Sequence, residues 1–319
     1  MSTIGFFSLL LYFLHQPIQV EATYYKLALV DTTTIVAVGT QGTVARTTDR
    51  GKHWNVALKN GGTTSNLYGV TFIDRSIGWS VGQNFTIIKT TDGGQSWKNT
   101  DSSGLYDLTY IHFTNPRTGW ITGTRGLILK TTNGGNNWIR QYSNTTNDFW
   151  YGSFLNDSLG WLCGASGTVL KTTDGGENWG MIGTKFKETA LNIRFADSLH
   201  GWISGGYGSI YATTDGGKTW NGQNKYEDYH FFLTRNFHYG IDFCDSSLGW
   251  VVGNRGVIMK TTDGGLHWVG QDATVEEVLN GILILNRSTV YVCGSDGTIL
   301  ETSDGGTTWK KQSLELTTK

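Results

Sequence analysis

One eight-residue phrase, Thr-Thr-Asp-Gly-Gly-x-x-Trp, recurs seven times with small variations, at Thr47–Trp54, Thr90–Trp97, Thr131–Trp138, Thr172–Trp179, Thr213–Trp220, Thr261–Trp268 and Thr302–Trp309. Successive tryptophans lie 43, 41, 41, 41, 48 and 41 residues apart. A period of this size marks propellers and solenoids, whose units bury their apolar faces only against one another. The chain is therefore one structural unit written seven times.

Two further phrases repeat with the first. Gly-Trp followed by Gly-x-x-Gly-x-apolar-apolar appears as Gly78-Trp79-Ser80-Val81-Gly82 and then Thr86-Ile87-Ile88-Lys89. Counterparts of Trp79 are Trp120, Trp161, Trp202 and Trp250, with Tyr291 in the last unit and Val36 in the first. Ahead of it stands an apolar, β-branched and aromatic run, Leu67 to Ile73, ended by Asp74. Such runs between Gly, Asn, Asp and Ser clusters read as short strands. With the segment after each phrase-ending tryptophan they make four strands, A to D, per unit, the content of a propeller blade.

The phrase has a structural task that involves no catalysis. An Asp or Asn oxygen accepts backbone N–H groups of the C–D turn, and paired glycines supply positive φ. Asp49, Asp92, Asn133, Asp174, Asp215, Asp263 and Asp304 are read in this way. Arg50 replaces the first glycine of the first copy, which predicts either tolerance or strain of about 1–2 kcal/mol. Each tryptophan then fills space between blades, burying about 150–250 Å².

Phrases such as Thr90-Thr91-Asp92-Gly93-Gly94-Gln95-Ser96-Trp97 resemble the Asp-box, or BNR, repeat of sialidases and sortilin-type receptors. The longer signature, Gly78-Trp79-Ser80-Val81-Gly82 running into Ile87-Ile88-Lys89-Thr90-Thr91-Asp92-Gly93-Gly94, is similar to that of the photosystem II assembly and stability factor family and its relatives in non-photosynthetic organisms. The resemblance spans about Tyr24 to Leu316. It implies an all-β, seven-bladed propeller of four-stranded antiparallel blades, and a non-catalytic protein that holds a polypeptide client. One fold hosts many functions, so the second implication is the weaker.

Residues 1–22 read as a signal peptide, with an apolar stretch from Ile4 to Leu14 and a small-residue ending before Thr23. The apolar stretch is shorter than the ~20 residues a spanning helix needs, so no stable membrane insertion is expected after cleavage. Residues 23–319 fill seven blades and leave no room for a second domain. The expected location is secreted or extracytoplasmic, and the thylakoid lumen only in a photosynthetic host. A net charge of −1 offers no basic stripe, which argues against nucleic acid. Cys163, Cys244 and Cys293 read as free thiols, and the absence of paired Cys or His motifs predicts neither metal nor cofactor. Asn84, Asn144, Asn156 and Asn286 head glycosylation sequons. The ends, Tyr24–Leu29 as strand A of blade one and Trp309–Leu314 as strand D of blade seven, predict closure by side-chain packing without a swapped strand.

In an up-and-down blade the A–B and C–D turns share one face and the B–C and D–A connections the other. The monotonous turns fall on the first face. Binding residues collect on variable loops held by a rigid scaffold, which selects the second. Two irregularities lie there. One is the expansion between Trp220 and Trp268, holding Tyr229, His230, His238 and Tyr239; the other is Trp150 beside Tyr151, the single one of 13 tryptophans outside the two repeat positions. Aligning the A strands adds Ala28, Thr71, His112, Ser153, Arg194, Asp242 and Leu283 as a channel ring, in which Arg194 and Asp242 pair as neighbours. Arg125 and Arg255 share a B–C position and tint this face positive.

The leading expectation is a monomeric binding or assembly scaffold for a protein or peptide. A sialidase-like glycoside hydrolase would need two carboxylates about 5–9.5 Å apart, for which Asp242 with Glu227 or Asp228 is a candidate set. Other channel chemistry would use His112, His230 or His238 as a base. A glycan-binding lectin is the third reading, with one site near blades four to six.

Overall fold

The computed structural model describes residues 22–58, 62–102, 104–223 and 236–316. Their strands form seven antiparallel sheets in the sequential order A-B-C-D. Blade two is typical, with Leu67–Phe72, Gly78–Gly82, Ile87–Thr90 and Lys98–Asp101. Inner strands A pack side by side around an axis, and that of blade one (Tyr24–Leu29) touches that of blade seven (Leu279–Ile284), closing the ring. The register bears out the alignment of repeats: Thr71 pairs with Trp79, His112 with Trp120, Arg194 with Trp202 and Asp242 with Trp250.

Each recurring residue type has a bonding reason. In blade two the Thr90 hydroxyl donates to Asp92 Oδ1 at 2.8 Å and accepts the N–H of Gly94 at 2.9 Å, while Asp92 takes the N–H of Ser96. The same set recurs in the other blades, with Asn133 standing in for Asp in the third. A second side-chain turn lies beside it. Asp31, Asp74, Asn115, Asn156, Asp197, Asp245 and Asn286 each accept the N–H groups two and three residues on, capping the A–B turns. Two of the sequon asparagines, Asn156 and Asn286, are thus turn formers. The two kinds of turn are joined, for example by Gly93 N–H to the Ser76 carbonyl at 2.8 Å, so both lie on one face.

Seven apolar clusters hold the ring, one between each pair of neighbouring blades. The strand B tryptophan of one blade stacks on the aromatic residue ending strand A of the next, as Trp161 does on Phe195 at 3.6 Å and Trp202 on Phe243 at 3.5 Å. The turn tryptophan of that next blade meets the same ring edge-on, Trp220 against Phe195 at 5.9 Å. Gly135 shows why the second glycine is needed: its φ is +77° and a Cβ there would stand 2.3 Å from Trp79 Nε1 of the preceding blade. A large fixed ring and a positive φ together leave room for glycine alone.

One expectation changes. Closure is not by side chains alone: Leu314–Leu316 forms a fifth strand on blade one, parallel to its outer strand Trp54–Ala57, and strand D of blade seven shortens to Lys310–Lys311. A chain end that crosses to the neighbouring blade covers an edge that would otherwise leave backbone groups open. Arg50 sits at φ +61°, so the first copy keeps the left-handed turn with a side chain in place, tethered by Arg50 Nε to the Thr32 carbonyl at 2.9 Å. The three cysteines are free, Cys163 and Cys293 buried and Cys244 half-buried.

Candidate functional site

Every inner strand carries the same irregularity. Between its first and third residues the pairing with strand B slips by one, a β-bulge at the second position. Strict alternation would send the third and fifth residues of strand A to one face of the sheet and the second to the other. The bulge re-aims the second residue, as bulges do near functional sites. Position two reads Tyr25, Tyr68, Thr109, Trp150, Leu191, Tyr239 and Asn280 around the ring, and all seven line one cavity of about 490 Å³ at the B–C face.

The walls of this mouth are mostly apolar. Tyr25 and Tyr68 meet edge to face at 5.2 Å, and Tyr151 leans on Tyr110 at 4.6 Å. Burial raises the Tyr25, Tyr68 and Tyr239 hydroxyl pKa values, so these stay neutral. Two polar atoms in the walls are buried without a hydrogen-bond partner: the indole N–H of Trp150 and the amide oxygen of Asn192. The indole N–H groups of Trp54, Trp97, Trp120, Trp220 and Trp268 are buried unpaired in the same way, so what distinguishes the mouth is its ring of seven variable side chains.

Below it lies a chamber of about 240 Å³. His112, Arg194 and Asp242 line it with Thr71, Ser153 and Leu283, as the aligned ring predicted; Ala28 instead is packed into the core. Arg194 Nε stands 2.9 Å from Asp242 Oδ1 as a close ion pair, although the N–H does not point at that oxygen. His112 is pushed down to about 4 by burial and by the charges of Arg194 and Lys26, and is neutral at pH 7. Lys26 of blade one reaches across the axis to blade four, where its ammonium donates to the Tyr151 hydroxyl and lies 4.4 Å from the ring centre. Burial lowers its pKa to about 8, against the pull of Asp242.

Of the residues singled out from the sequence, Trp150, Tyr151 and Tyr239 converge at the mouth and Tyr151, His112, Arg194 and Asp242 in the chamber. Arg125 and Arg255 stand exposed at the tips of B–C turns, outside both cavities, at φ +55°. Arg125 donates its backbone N–H to Asp148 of the next blade, and Asn84 does the same to Asp107, so these carboxylates lock neighbouring loops. His238 is not a loop residue: it opens strand A of blade six (His238–Phe243), is 1% exposed, and burial pushes it down to about 4. Tyr229, His230, Glu227 and Asp228 lie outside the described residues. Tyr25, Tyr68, Lys26 and Asn192 escaped sequence reasoning. The signal that points to Tyr25 and Tyr68 is column two of the aligned A strands, as variable as column five; Lys26 and Asn192 stand in column three, which otherwise reads Gly69, Tyr110, Tyr151, Gly240 and Gly281.

Comparison with known proteins bears on this geometry. A family profile described as Photosynthesis system II assembly factor YCF48 (PSII_BNR) matches residues 56–146 and 230–315, just over half of the chain. Among curated protein sequences none is significantly similar. A solved structure described as YCF48 bound to D1 peptide superposes with a TM-score of 0.73 at 19% identity, covering 90% of this chain and 93% of the other. YCF48 from Cyanidioschyzon merolae gives 0.72 at 19% identity, covering 90% and 97%. The WD40 β-propeller domain of Doa1 gives 0.66 at 13% identity, covering 89% and 95%. Identities this low speak to the fold.

Proposed function

The chain belongs to the Photosynthesis system II assembly factor YCF48 family, and from that premise we propose that it is a non-catalytic scaffold which captures an extended polypeptide in the mouth of its channel. The observation that carries this reading is the mouth itself, a cavity of about 490 Å³ walled by the variable second-position residues of all seven inner strands, Tyr25, Tyr68, Trp150 and Tyr239 among them. Tyr25, Tyr68 and Tyr239 supply rigid aromatic walls for side chains, a residue type enriched where interfaces concentrate their energy. The solved relative with a bound D1 peptide supports a peptide as the ligand class. Arg125 and Arg255 would meet acidic residues flanking the captured segment. Residues 1–22, read as a leader, would bring the protein to an extracytoplasmic client.

The hydrolase reading has less support. The described carboxylates lining the two cavities are Asp242, paired with Arg194, and Asp107, whose Oδ1 accepts the Asn84 N–H. A lectin with repeated sites fits poorly with a ring whose second position differs from blade to blade.

Selection of binders from a displayed peptide library, followed by calorimetry, tests the proposal. Trp150→Ala is expected to weaken the selected peptides about tenfold or more while the melting temperature stays near that of the parent. Unchanged affinity in that variant, or selection of no peptide at all, contradicts it.

A further inference from the structure

We propose that the chamber beneath the aromatic mouth is a binding site for a single carboxylate, held by Lys26 from blade one with Tyr151 from blade four.

The argument begins with charge. Among the described residues lining the chamber, the ionised groups at pH 7 are Lys26, Arg194 and Asp242. Asp242 is paired with Arg194 at 2.9 Å and also pulls on Lys26, so one carboxylate serves two cations and the chamber holds an excess positive charge. An unpaired charge inside a protein is costly, and the cost is relieved when an opposite charge enters. Hydrogen bonding gives the same answer. An ammonium has three donors, and the Tyr151 hydroxyl is the one acceptor it meets among the described residues. The side chain lines both the mouth and the chamber, so a ligand spanning the two meets it. Tyr151, having accepted from Lys26, keeps its own O–H to donate. A carboxylate oxygen placed there would receive both.

The space defines the ligand class. A chamber of about 240 Å³ takes a carboxylate with a short stem, and the cavity of about 490 Å³ above it, walled by Tyr25, Tyr68, Trp150 and Tyr239, takes an apolar or aromatic tail. A free aryl- or alkyl-substituted acid and the C-terminus of a peptide share this chemistry. The inference rests on the chamber's charge; it shares the mouth with the peptide reading and differs from it in what the chamber holds.

Calorimetry on the full protein with phenylacetate and its neutral analogue phenylacetamide tests it. Phenylacetate is expected to bind at least about tenfold more tightly, and Lys26→Met to erase the difference. The groups facing Lys26 are Tyr110, His112, Tyr151, Arg194, Asp242 and Cys293. His112 loses its proton near 4, and burial raises Cys293 to about 12 and lifts Tyr110 further, so these groups keep their charge in mildly alkaline solution while Lys26 loses its own. Phenylacetate affinity should therefore fall about tenfold from about pH 7 to about pH 9 as Lys26 deprotonates. In Lys26→Arg that fall should disappear, since a guanidinium stays charged, and this variant decides the matter if Lys26→Met does not fold. Hydrophobic tripeptides with a free and an amidated C-terminus distinguish the two sources: a preference for the free form assigns the site to a peptide end, and its absence alongside phenylacetate binding assigns it to free acids. Equal binding of phenylacetate and phenylacetamide, no binding of any acid, or a preference that survives Lys26→Met overturns the proposal. Loss of the selected peptides in Trp150→Ala with phenylacetate selectivity intact would leave this site standing while testing the mouth separately.

Discussion

The perimeter of the disc and its axis repeat the same backbone seven times to opposite effect. On the turn face, one set of side-chain and backbone bonds recurs from Thr47 to Thr308 with only conservative exchanges. Along the axis the bulge recurs just as faithfully, yet position two carries tyrosine, threonine, tryptophan, leucine and asparagine in turn. The difference lies in what each side chain touches. A second-position glycine of the turn lies against the preceding blade, on its strand B residue as Gly135 does on Trp79 and Gly94 on Val36, or on its outer strand as Gly176 does on Gln141, so its identity is fixed by a neighbour. Residues at the bulge border open space and are tied less tightly: Thr109 and Asn280 bond carbonyls of the neighbouring blade, while Tyr25, Tyr68, Trp150, Leu191 and Tyr239 wall the mouth. Function has room to diverge where packing demands less.

The sharpest way to break this contrast is to disturb the perimeter and watch the axis. Gly135→Ala combines a positive φ with a clash against an indole, and is expected to cost about 3 kcal/mol by chemical denaturation while folded molecules bind peptide as before. Acid gives a second, collective test. Asp174 and Asp304 are held down to about 2, first by the backbone N–H of Asn178 and Thr308 and then by those residues' side chains and the Thr172 and Thr302 hydroxyls. Asp215 is held as low, by the Thr219 side chain and backbone, and in Asp49 the bonds from His53 and Thr47 outweigh the effect of burial. A carboxyl whose folded pKa is depressed stabilises fully above its unfolded value, 3.8 here, and that stability drains away as pH falls through the folded value. Unfolding monitored by tryptophan fluorescence should therefore begin below about pH 4 and progress toward about pH 2. Stability that stays constant across this window would show that the turns contribute little. The smallest effect concerns closure: deleting residues 314–319 removes the parallel strand on Trp54–Ala57 and should cost about 1–2 kcal/mol, with no change at the mouth.

Much of the fold was legible because it is repetitive. Seven boxes fixed the blade number, and the column through Thr71, His112, Arg194 and Asp242 located the chamber, since a fifth-position residue keeps its parity with the sheet. The mouth was legible only through Trp150, Tyr151 and Tyr239. A bulge without a glycine leaves no residue-type mark, so Tyr25 and Tyr68 read as ordinary strand aromatics. Lys26 was hidden for a different reason: its partner, Tyr151, stands on a blade across the ring, a contact that no local pattern encodes. The closing strand, Leu314-Glu315-Leu316, is three residues long and gains its identity from the blade it joins. His238 was misplaced because an aromatic-rich run before it reads as one loop, whereas the repeat register makes it the first residue of a strand.

Photo-cross-linking of a captured peptide, with the adducts mapped by mass spectrometry, tests most directly whether activity resides at the axis. The account predicts adducts on Tyr25, Tyr68, Trp150, Asn192 and Tyr239, whose side chains line the mouth. Adducts confined to the turns that hold Asp49, Asp92, Asp174 and Asp304 would contradict it.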